Sequence, residues 1–579
     1  MASNQDKERN LTSKRTLLGE ILIEQGLIDS KQLDEALAEQ KKSGGFIGSI
    51  LVKLGFLTDQ QILPFLSEQL NIECIEISQF KIDPGVIKLV PAKFACHYKI
   101  IPIRKKDNAL TVAVSDPLNI HILDDLRLLL KIEVEPVLAS EKDILQAIRQ
   151  YYGVGADTVE KLAEESSPFQ NLELFNVAVE DLEGLAEDAS IIKFVNQIIQ
   201  QAVTDRATDI HIEPYQNQLR IRYRIDGILY DASVAANIRH LHSAIVSRIK
   251  IMANLDIAER RLPQDGRISV KAANKDLDLR VSILPTPYGE SIDIRILIPG
   301  MLISLPQLGL LENDLKILES LIKKPHGIVF VTGPTGSGKT TTLYACLSKI
   351  NNAQKKIITI EDPIEYQLEG ITQIQVQPNI GLRFAQGLRS MLRHDPDVMM
   401  VGEVRDMETA EITIRVALTG HLVFSSLHTN DSAGGVVRLL DIGIEPYLVA
   451  SSVECLLAQR LVRLVCPKCK QEVKLKDEVL RELQIPQQED LSGLKFFAGR
   501  GCESCKFTGY WGRTGIYEFL MISEPIRELI LQQAEASKIR RKAIELGMHT
   551  LRQDGWEKMK LGLTTAAEVI RVTQQEQML

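Results

Sequence analysis

The sequence predicts an α/β protein in which a P-loop nucleotide-binding domain follows an α+β domain and two small N-terminal domains. Three observations carry this prediction. Buried β runs alternate with helices over residues 301–460, a phosphate-binding motif begins at Gly333, and residues 15–69 contain an internal repeat. At 579 residues, the chain has room for about four domains of ordinary size.

The composition is that of a globular protein, with 45% hydrophobic and 25% charged residues. With 68 basic and 76 acidic side chains, the net charge is −8, which disfavours a general nucleic-acid binder. No apolar run approaches the length of a membrane span, and the polar start MASNQDKERN lacks the apolar core of an export signal. We therefore expect a cytoplasmic protein whose eight cysteines are reduced.

The internal repeat relates residues 15–40 to residues 46–69 by a shift of 29 positions. Gly19 then corresponds to Gly48, Gly26 to Gly55, and Gln40 to Gln69. Each copy predicts a short helix, a turn at its second glycine, and a second helix capped by Asp29 or Thr58. We assign this tandem-repeat domain to residues 1–75.

Composition shifts define the next boundaries. Residues 76–152 predict a small α/β domain that packs on the repeat, with strands over 99–104 and 110–114 and a helix over 120–130. Residues 153–188 are rich in acidic side chains and predict a flexible linker or simply a solvated charge run. In the α+β domain, residues 189–300, helices are predicted over 191–203 and 240–252, and strands over 209–212, 219–225, 267–271, 277–282 and 291–297.

The remaining residues, 301–579, contain the nucleotide-binding domain. Runs at 328–332, 356–360, 398–401 and 422–427 predict the core strands of a largely parallel sheet. Two CxxC pairs interrupt the alternation between 461 and 515, and we assign a metal module to residues 461–510. The remainder of the chain is predicted to be mostly helical.

The strongest motif matches G-x-x-x-x-G-K-[ST], the pattern of a loop that wraps its backbone N–H groups around phosphates. Lys339 would contact the β- and γ-phosphates, Thr340 would coordinate Mg²⁺, and the following helix would direct its positive end at the same anion. An apolar strand precedes the loop and a helix-like segment follows it, so we predict a nucleotide site, with a chance match as the alternative. Its residues are Gly333, Pro334, Thr335, Gly336, Ser337, Gly338, Lys339, Thr340 and Thr341.

Acidic residues follow two of the predicted core strands. Glu361, Asp362 and Glu365 come after one strand, and Glu403 comes after another. A carboxylate at this edge of a P-loop sheet can orient and deprotonate the attacking water. The alternatives are a surface acid for Glu403 and a helix cap for Asp362 and Glu365.

Two histidines flank the strand predicted over 422–427. His421 precedes the strand and His428 follows it, so either could sense the γ-phosphate. The alternative for each is an ordinary core histidine.

Four segments, taken in order, resemble the secretion ATPases of type II secretion and type IV pilus assembly. They are GPTGSGKTTTLY, ITIEDPIEY, LRHDPDVMMVGEVRD and TGHLVFSSLHTND. Five earlier segments resemble the domain that precedes the P-loop in that family. They are TDIHIEP, RYRIDG, RLPQDGRISV, LRVSILPT and YGESIDIRIL. The resemblance covers about residues 11–575. It is greatest to pilus-extension ATPases, with type II secretion ATPases close behind and retraction ATPases disfavoured.

The resemblance implies a RecA-like ATPase domain behind a PAS-like α+β domain. It implies that Glu403 is the catalytic base, that Glu361, Asp362 and Glu365 form an aspartate box, and that His421 and His428 form a histidine box. It also implies a homohexamer that binds ATP between subunits. Arginines from the domain before the P-loop would contact the ATP of a neighbouring subunit. The candidates are Arg267, Arg280 and Arg295, with Arg222 and Arg224 weaker, and the alternative for each is a surface ion pair.

The CxxC pairs predict a structural zinc site. Cys466 and Cys469 are separated by 32 residues from Cys502 and Cys505, and four thiolates fill the tetrahedral coordination of Zn²⁺. The separation is longer than is common in zinc ribbons. Redox pairs and unconnected thiols are the alternatives.

The N-terminal repeat resembles the tandem cyclic-di-GMP-binding module of some of these ATPases. That resemblance implies ligand contacts at Gly19, Gln40, Gly48 and Gln69. Leu17 stands where the family has arginine, although Arg15 or Lys14 could replace it. The alternative is a structural repeat that docks a partner.

Together these features predict a Mg²⁺-dependent hexameric ATPase that powers pilin polymerisation, peripheral to the inner membrane and acting on a platform protein there. Type II secretion is the alternative within the family. A nucleic-acid translocase is disfavoured by the charge and the lack of an aromatic-rich basic stripe. A non-hydrolysing nucleotide-dependent scaffold is the third reading.

Overall fold

The computed structural model describes residues 22–23, 25–43, 47–70, 72–77, 80–115, 120–153, 188–234, 238–272, 275–297, 303–483 and 493–573. The chain divides into two compact units, one of Met1–Ile225 with Leu229–Ile296 and one of Asp226–Ile228 with Leu297–Leu579. The predicted acidic linker lies almost entirely outside the described residues. None of the described helices combines the length and apolar character that crossing a bilayer requires.

The repeat forms helices over Ser30–Ser43, Ile47–Lys53 and Asp59–Leu70. The turns at Gly26 and Gly55 have φ angles of +68° and +78°, a left-handed conformation that glycine adopts without strain. Asp29 caps its helix as predicted, because its carboxylate accepts from the Gln32 amide at 2.8 Å. At the equivalent turn in the second copy, the Thr58 hydroxyl instead donates to the Gln61 side chain at 2.8 Å.

The small α/β domain has a three-stranded sheet of Ile100–Lys106, Ala109–Val114 and Glu133–Leu138, in that order. Its helices are Pro84–Ile87, Ala92–Tyr98, Ile120–Leu130 and Glu141–Tyr152. The third strand was not predicted. Leu138, at its end, is fully buried in one apolar cluster with Leu22 and Leu51 of the repeat, so the two domains pack together as expected.

The α+β domain contains a six-stranded sheet, and the helices Ala189–Thr204 and His242–Met252 accompany it. Every strand predicted here is present, and one short strand was missed. The strand order across the sheet is Ile228–Asp231 (the missed strand), Leu219–Ile225, Ala207–Pro214, Gly289–Leu297, Lys275–Thr286 and Gln264–Ala272.

The nucleotide-binding domain is built on a seven-stranded sheet. Its order is Thr372–Gln375, Ile357–Glu361, Val398–Val401, Leu422–Leu427, Gly327–Thr332, Val453–Val465 and Tyr510–Met521. All neighbours are parallel except the last pair, which confirms the prediction of a largely parallel sheet. The helices that cover it before the cysteine module are Glu312–Leu321, Lys339–Ile350, Phe384–Met391, Met407–Leu418, Ser432–Asp441 and Pro446–Ser452.

The prediction that regular structure breaks from 461 to 515 was wrong at both ends. Residues 453–465 and 510–521 are long antiparallel strands of the main sheet, and the cysteine module is inserted between them. The module contains the hairpin Lys470–Val473 and Phe496–Gly499 and the helix Asp477–Glu482. Four helices follow as predicted: Glu524–Leu531, Ala536–Glu545, Leu551–Lys560 and Ala566–Thr573.

A buried ion pair fastens the helix Leu551–Lys560 to the last strand. The Lys558 ammonium lies 2.6 Å from an Asp554 carboxylate oxygen, and both side chains are at most 1% exposed. That carboxylate also accepts from the Tyr517 amide at 2.8 Å. Removal of one partner would leave a buried charge, so this pair ties the C-terminal helices to the sheet that carries the site.

Candidate active site and cysteine centre

The phosphate-binding loop joins the buried strand Gly327–Thr332 to the helix Lys339–Ile350. Its backbone needs glycine, because Gly333 and Gly338 have φ angles of +151° and +88°. There is also no room for a side chain, since a Cβ on Gly333 would lie 2.6 Å from the Gln459 carbonyl oxygen. The local sequence therefore folds into a tight loop between the strand and the helix, as predicted.

Lys339 occupies the position that a phosphate contact requires. Its ammonium donates to the carbonyl oxygens of Gly333 at 2.8 Å and Pro334 at 3.1 Å. Burial lowers the pKa of Lys339 to about 8; the Glu403 carboxylate opposes this shift and Arg460 adds to it. A bound triphosphate would place negative charge beside the partly desolvated Lys339 ammonium and favour its charged form.

Two further polar groups fit bound MgATP. The buried Ser337 hydroxyl makes no hydrogen bond within the described part of the chain. The Thr340 side chain is exposed at the start of the same helix, where a hydroxyl can coordinate Mg²⁺. The donor set that the sequence predicted is thus compatible with the metal and the nucleotide.

Glu403 follows the strand Val398–Val401, whose carboxyl end lies at the same sheet edge as the phosphate-binding loop. Its side chain is nearly buried, and both oxygens are engaged. The Arg405 guanidinium lies 2.6 Å from one oxygen, and the His428 Nε2 lies 3.1 Å from the other. The structure therefore joins two of the predicted site residues, Glu403 and His428.

The two histidines have different environments. Burial, followed by the charge of Lys339, lowers the pKa of His428, which favours the neutral imidazole. His421 precedes the strand Leu422–Leu427, and its Nδ1 lies 3.0 Å from the Val416 carbonyl oxygen. Because six strand residues span about 20 Å, His421 lies at the opposite sheet edge and does not join the phosphate site.

The predicted aspartate box is also divided. Glu361 is buried and accepts hydrogen bonds from the Tyr344 hydroxyl, from Thr359 at 2.5 Å and from Gln373 at 3.0 Å. It therefore connects the phosphate-loop helix to the neighbouring strands. Glu365 is half-buried near Tyr344, whose hydroxyl lies 3.3 Å from the Glu365 amide nitrogen.

Asp362 is exposed. The hydrogen bond that Arg405 donates to Glu403 raises the pKa of Arg405, and the negative charge of Asp362 adds to this rise. Asp362 therefore contributes to the electrostatics of the Glu403 cluster.

Sequence analysis missed several residues that shape the site. The Gln459 side chain accepts from Thr342 of the phosphate-loop helix at 2.7 Å. Next to it, Arg460 donates to the Asn430 side chain at 3.0 Å, which holds the loop after His428. Both lie on the strand Val453–Val465, far from the motifs in sequence, and no local pattern identifies them. Arg405, by contrast, lies inside the quoted GEVRD segment.

The candidate arginines lie in the six-stranded sheet, in the other unit. Asp209 lies 3.0 Å from Arg295 and 3.6 Å from Arg224, and Arg222 pairs with Glu213. Arg267 and Arg280 lie directly opposite each other on neighbouring antiparallel strands. Their side chains therefore lie on the same face of the sheet.

The repeat positions are only partly described. Gly48 is buried in the helix Ile47–Lys53, and Gln40 is half-exposed near the end of the helix Ser30–Ser43. Gln69 belongs to the helix Asp59–Leu70. Gly19, Leu17, Arg15 and Lys14, together with the Gln69 side chain, lie outside the described residues.

The predicted zinc ligands converge. The sulfurs of Cys466, Cys469, Cys502 and Cys505 all lie within 4.8 Å of one another. Three pairs are separated by 3.9, 3.8 and 3.7 Å. Tetrahedral zinc with Zn–S bonds of about 2.3 Å would separate its sulfurs by about 3.8 Å, so the four thiols fit this ion. These distances are far longer than a disulfide bond.

Comparisons with known proteins agree with this geometry. A family model described as "Type II/IV secretion system protein" matches residues 184–571. The type IV pilus assembly ATPase PilB of Myxococcus xanthus is 43% identical over 559 residues, covering 96% of this chain and 98% of that protein. Type II secretion system protein E of Xanthomonas campestris is 39% identical over 567 residues, covering 97% and 99%.

Two further matches concern parts of the chain. The ATPase DotB of Legionella pneumophila, a solved structure, is 21% identical and covers 66% of this chain and 95% of its own, with a TM-score of 0.49 that supports no detailed comparison. The MshEN domain model matches residues 70–158. That match falls mainly on the small α/β domain, whereas the sequence analysis associated cyclic-di-GMP with residues 1–75.

The family model covers both the six-stranded domain and the P-loop domain, which confirms the expected fold class. The domain from 303 to 573 is RecA-like, and the α+β domain precedes it. The matched residues include the phosphate-binding loop, the Glu403 cluster and the cysteine centre. This chain therefore belongs to the Type II/IV secretion system protein family.

Proposed function

We propose that this chain is a Mg²⁺-dependent ATPase that works as a ring of six copies to power type IV pilus assembly. The similarity to the pilus assembly ATPase of M. xanthus over nearly the whole length of both chains supports this function. The motor would act from the cytoplasmic side on an inner-membrane platform protein, as a peripheral component. A ring of this kind would convert the free energy of ATP hydrolysis into motion of the platform protein.

One observation carries the proposal: Lys339, Glu403 and His428 converge at one edge of the parallel sheet. Lys339 and the loop amides would hold the triphosphate, with Mg²⁺ on Thr340 screening its charge. Water would add to the γ-phosphorus while the bond to the β–γ bridging oxygen breaks, and Glu403 would take the proton. His428 would hold the Glu403 carboxylate in position.

In the hexamer, an arginine of a neighbouring copy would add a further positive charge at this edge. Transition-state charge on the γ-phosphate is commonly neutralised by an arginine from a neighbour. Arg267, Arg280 and Arg295 are the candidates, and Arg267 and Arg280 lie opposite each other on neighbouring strands. Arg295 pairs with Asp209 in this structure.

The experiment replaces Lys339 by alanine in the native cell and counts surface pili. We expect pili to be absent, because the phosphates lose their buried cation, while the amount of protein stays unchanged. Lys349→Ala is the matched control, since Lys349 is exposed on the same helix. Normal piliation in the Lys339→Ala strain would refute the proposed function.

Type II secretion is a second candidate, favoured by the 39% identity to a type II secretion protein E over 97% of this chain. The same Lys339→Ala strain distinguishes the two functions. Loss of secreted exoproteins with normal pili would assign the motor to secretion, and loss of pili with normal secretion would assign it to pilus assembly.

We also propose that cyclic-di-GMP binds the N-terminal region and regulates the motor. The repeat with its two positive-φ glycines and the MshEN match over residues 70–158 support this regulation. Calorimetric titration of the full chain with cyclic-di-GMP should give saturable binding, and Gln40→Ala should weaken it at least tenfold. Equal binding of GMP, or none of cyclic-di-GMP, would leave the repeat as a docking element.

A further inference from the structure

Arg405 pairs with a carboxylate oxygen of Glu403, the proposed catalytic base. Its guanidinium lies 2.6 Å from one oxygen of Glu403, while His428 Nε2 lies 3.1 Å from the other. A carboxylate that accepts a proton from water must have a lone pair open toward that water. In this arrangement, each oxygen of the nearly buried Glu403 carboxylate already has a partner that competes with water for its lone pairs.

Of the two partners, Arg405 is the one that must leave. Its guanidinium carries a permanent charge and makes a charge-assisted hydrogen bond, which lowers the proton affinity of the carboxylate. His428 can keep its hydrogen bond while neutral and so can orient Glu403 without opposing protonation. Removing only the arginine leaves an oriented carboxylate with one open oxygen.

The surroundings of Arg405 permit this movement. Its side chain is 71% exposed, whereas that of Glu403 is 11% exposed, so the arginine can move with little loss of packing. The segment from 402 to 406 has no helix or strand. The charges of Lys339 and Arg405 both lower the pKa of His428, so both cations lie near this imidazole.

We propose that Arg405 is a catalytic residue that exchanges partners, from Glu403 in the empty site to the γ-phosphate of ATP bound in the same subunit. The γ-phosphate carries more negative charge than one carboxylate and attracts the guanidinium in bidentate geometry. The exchange frees one Glu403 oxygen for water and supplies a cation where transition-state charge develops. The base is then open only when ATP, and not ADP, occupies the site. This inference rests on the proposed ATPase function.

The first test compares nucleotide affinities in the full chain. For Arg405→Ala, we expect the Kd for a non-hydrolysable ATP analogue to rise about tenfold, while the Kd for ADP stays unchanged, because ADP lacks the γ-phosphate. The kcat should fall about 10²- to 10³-fold, the usual effect of losing one transition-state charge contact. Arg405→Gln should behave in the same way, since it retains polarity but not charge.

Arg415→Ala is the matched control. Arg415 is 67% exposed and pairs with Glu411 at 2.7 Å on the helix Met407–Leu418, away from the phosphate site. This variant should keep wild-type kcat and both affinities. If Arg405→Ala also keeps the wild-type preference for the ATP analogue over ADP, the partner exchange is excluded.

A double-mutant cycle tests the exchange itself. Glu403→Ala removes the competing acceptor, so the ATP analogue should bind more tightly, and this gain should vanish when Arg405→Ala is added. A gain that persists without Arg405 would come from relieved repulsion alone and would overturn the proposal. If instead the wild-type chain hydrolyses no ATP, the proposed function fails, a result that the binding experiments do not depend on.

Discussion

The Glu403→Gln variant of the full chain should release phosphate about 10³-fold more slowly than wild type, with nucleotide affinity nearly unchanged. Glutamine has almost the same shape and can keep its contacts with Arg405 and His428, but it cannot take a proton from water. The loss should therefore appear in kcat and not in the Kd for ATP. Phosphate-release kinetics and equilibrium binding of labelled ATP measure the two quantities separately.

Glu408→Gln is the control for this variant, because Glu408 lies a few residues beyond Glu403 and is an exposed acid that pairs with Arg389. Its turnover should equal that of wild type. Wild-type turnover by Glu403→Gln would exclude Glu403 as the base. Such a result would direct attention to Asp362, the other acid on this side of the site.

Replacement of Cys505 by serine should abolish zinc binding and unfold the cysteine module. Cys505 is nearly buried, and its sulfur accepts from the amides of Cys502 at 3.2 Å and Gly509 at 3.3 Å. Zinc in small four-cysteine modules supplies much of their folding energy, because they have little core of their own. We expect bound zinc to fall from one per chain to none and the module to lose several kcal/mol of stability.

Metal analysis of the purified chain and limited proteolysis between 466 and 509 test this prediction. Cys74→Ser is the control, since Cys74 is exposed in the other unit and is remote in sequence from the cluster. It should retain one zinc and a resistant module. A wild-type chain that contains no zinc and forms disulfides between these cysteines would identify redox pairs instead.

Loss of the cysteine module should also affect the main sheet, because of where the module is inserted. It is inserted between the strands Val453–Val465 and Tyr510–Met521, which pair over most of their length. The first strand carries Gln459 and Arg460, and the second carries Glu518, which accepts from the Ser432 amide at 3.0 Å. Opening of the module therefore loosens the strand pair that supports the phosphate loop and the loop after His428.

Local chemistry made part of the site predictable. The phosphate-binding loop depends on glycine conformations and on a lysine that starts a helix, and all of these lie within a few residues. Glu403 and His428 were predictable because each directly follows a buried strand of a parallel sheet, and such strand ends share one edge. The cysteine pairs were recognisable from spacing alone.

The misassigned residues have the opposite property. His421 and His428 are equivalent by motif, but chain direction puts one at each end of a strand. Glu361 has the sequence position of a site acid, yet its side chain turns to the Tyr344 hydroxyl inside the domain. The strand Val453–Val465 was cut short because a cysteine motif begins directly after it and conceals its pairing with Tyr510–Met521.

The sequence by itself determined the family, the order of the domains, the phosphate loop and the four cysteines that converge, and it proposed Glu403 as the base. These features depend on residues that are neighbours in the chain or on motif spacing. Only the tertiary structure decided that His428 and Arg405 share the Glu403 carboxylate and that Gln459 supports the phosphate-loop helix. Such contacts depend on the order of strands in the sheet and on side-chain direction, and both arise from the packing of segments that are distant in sequence.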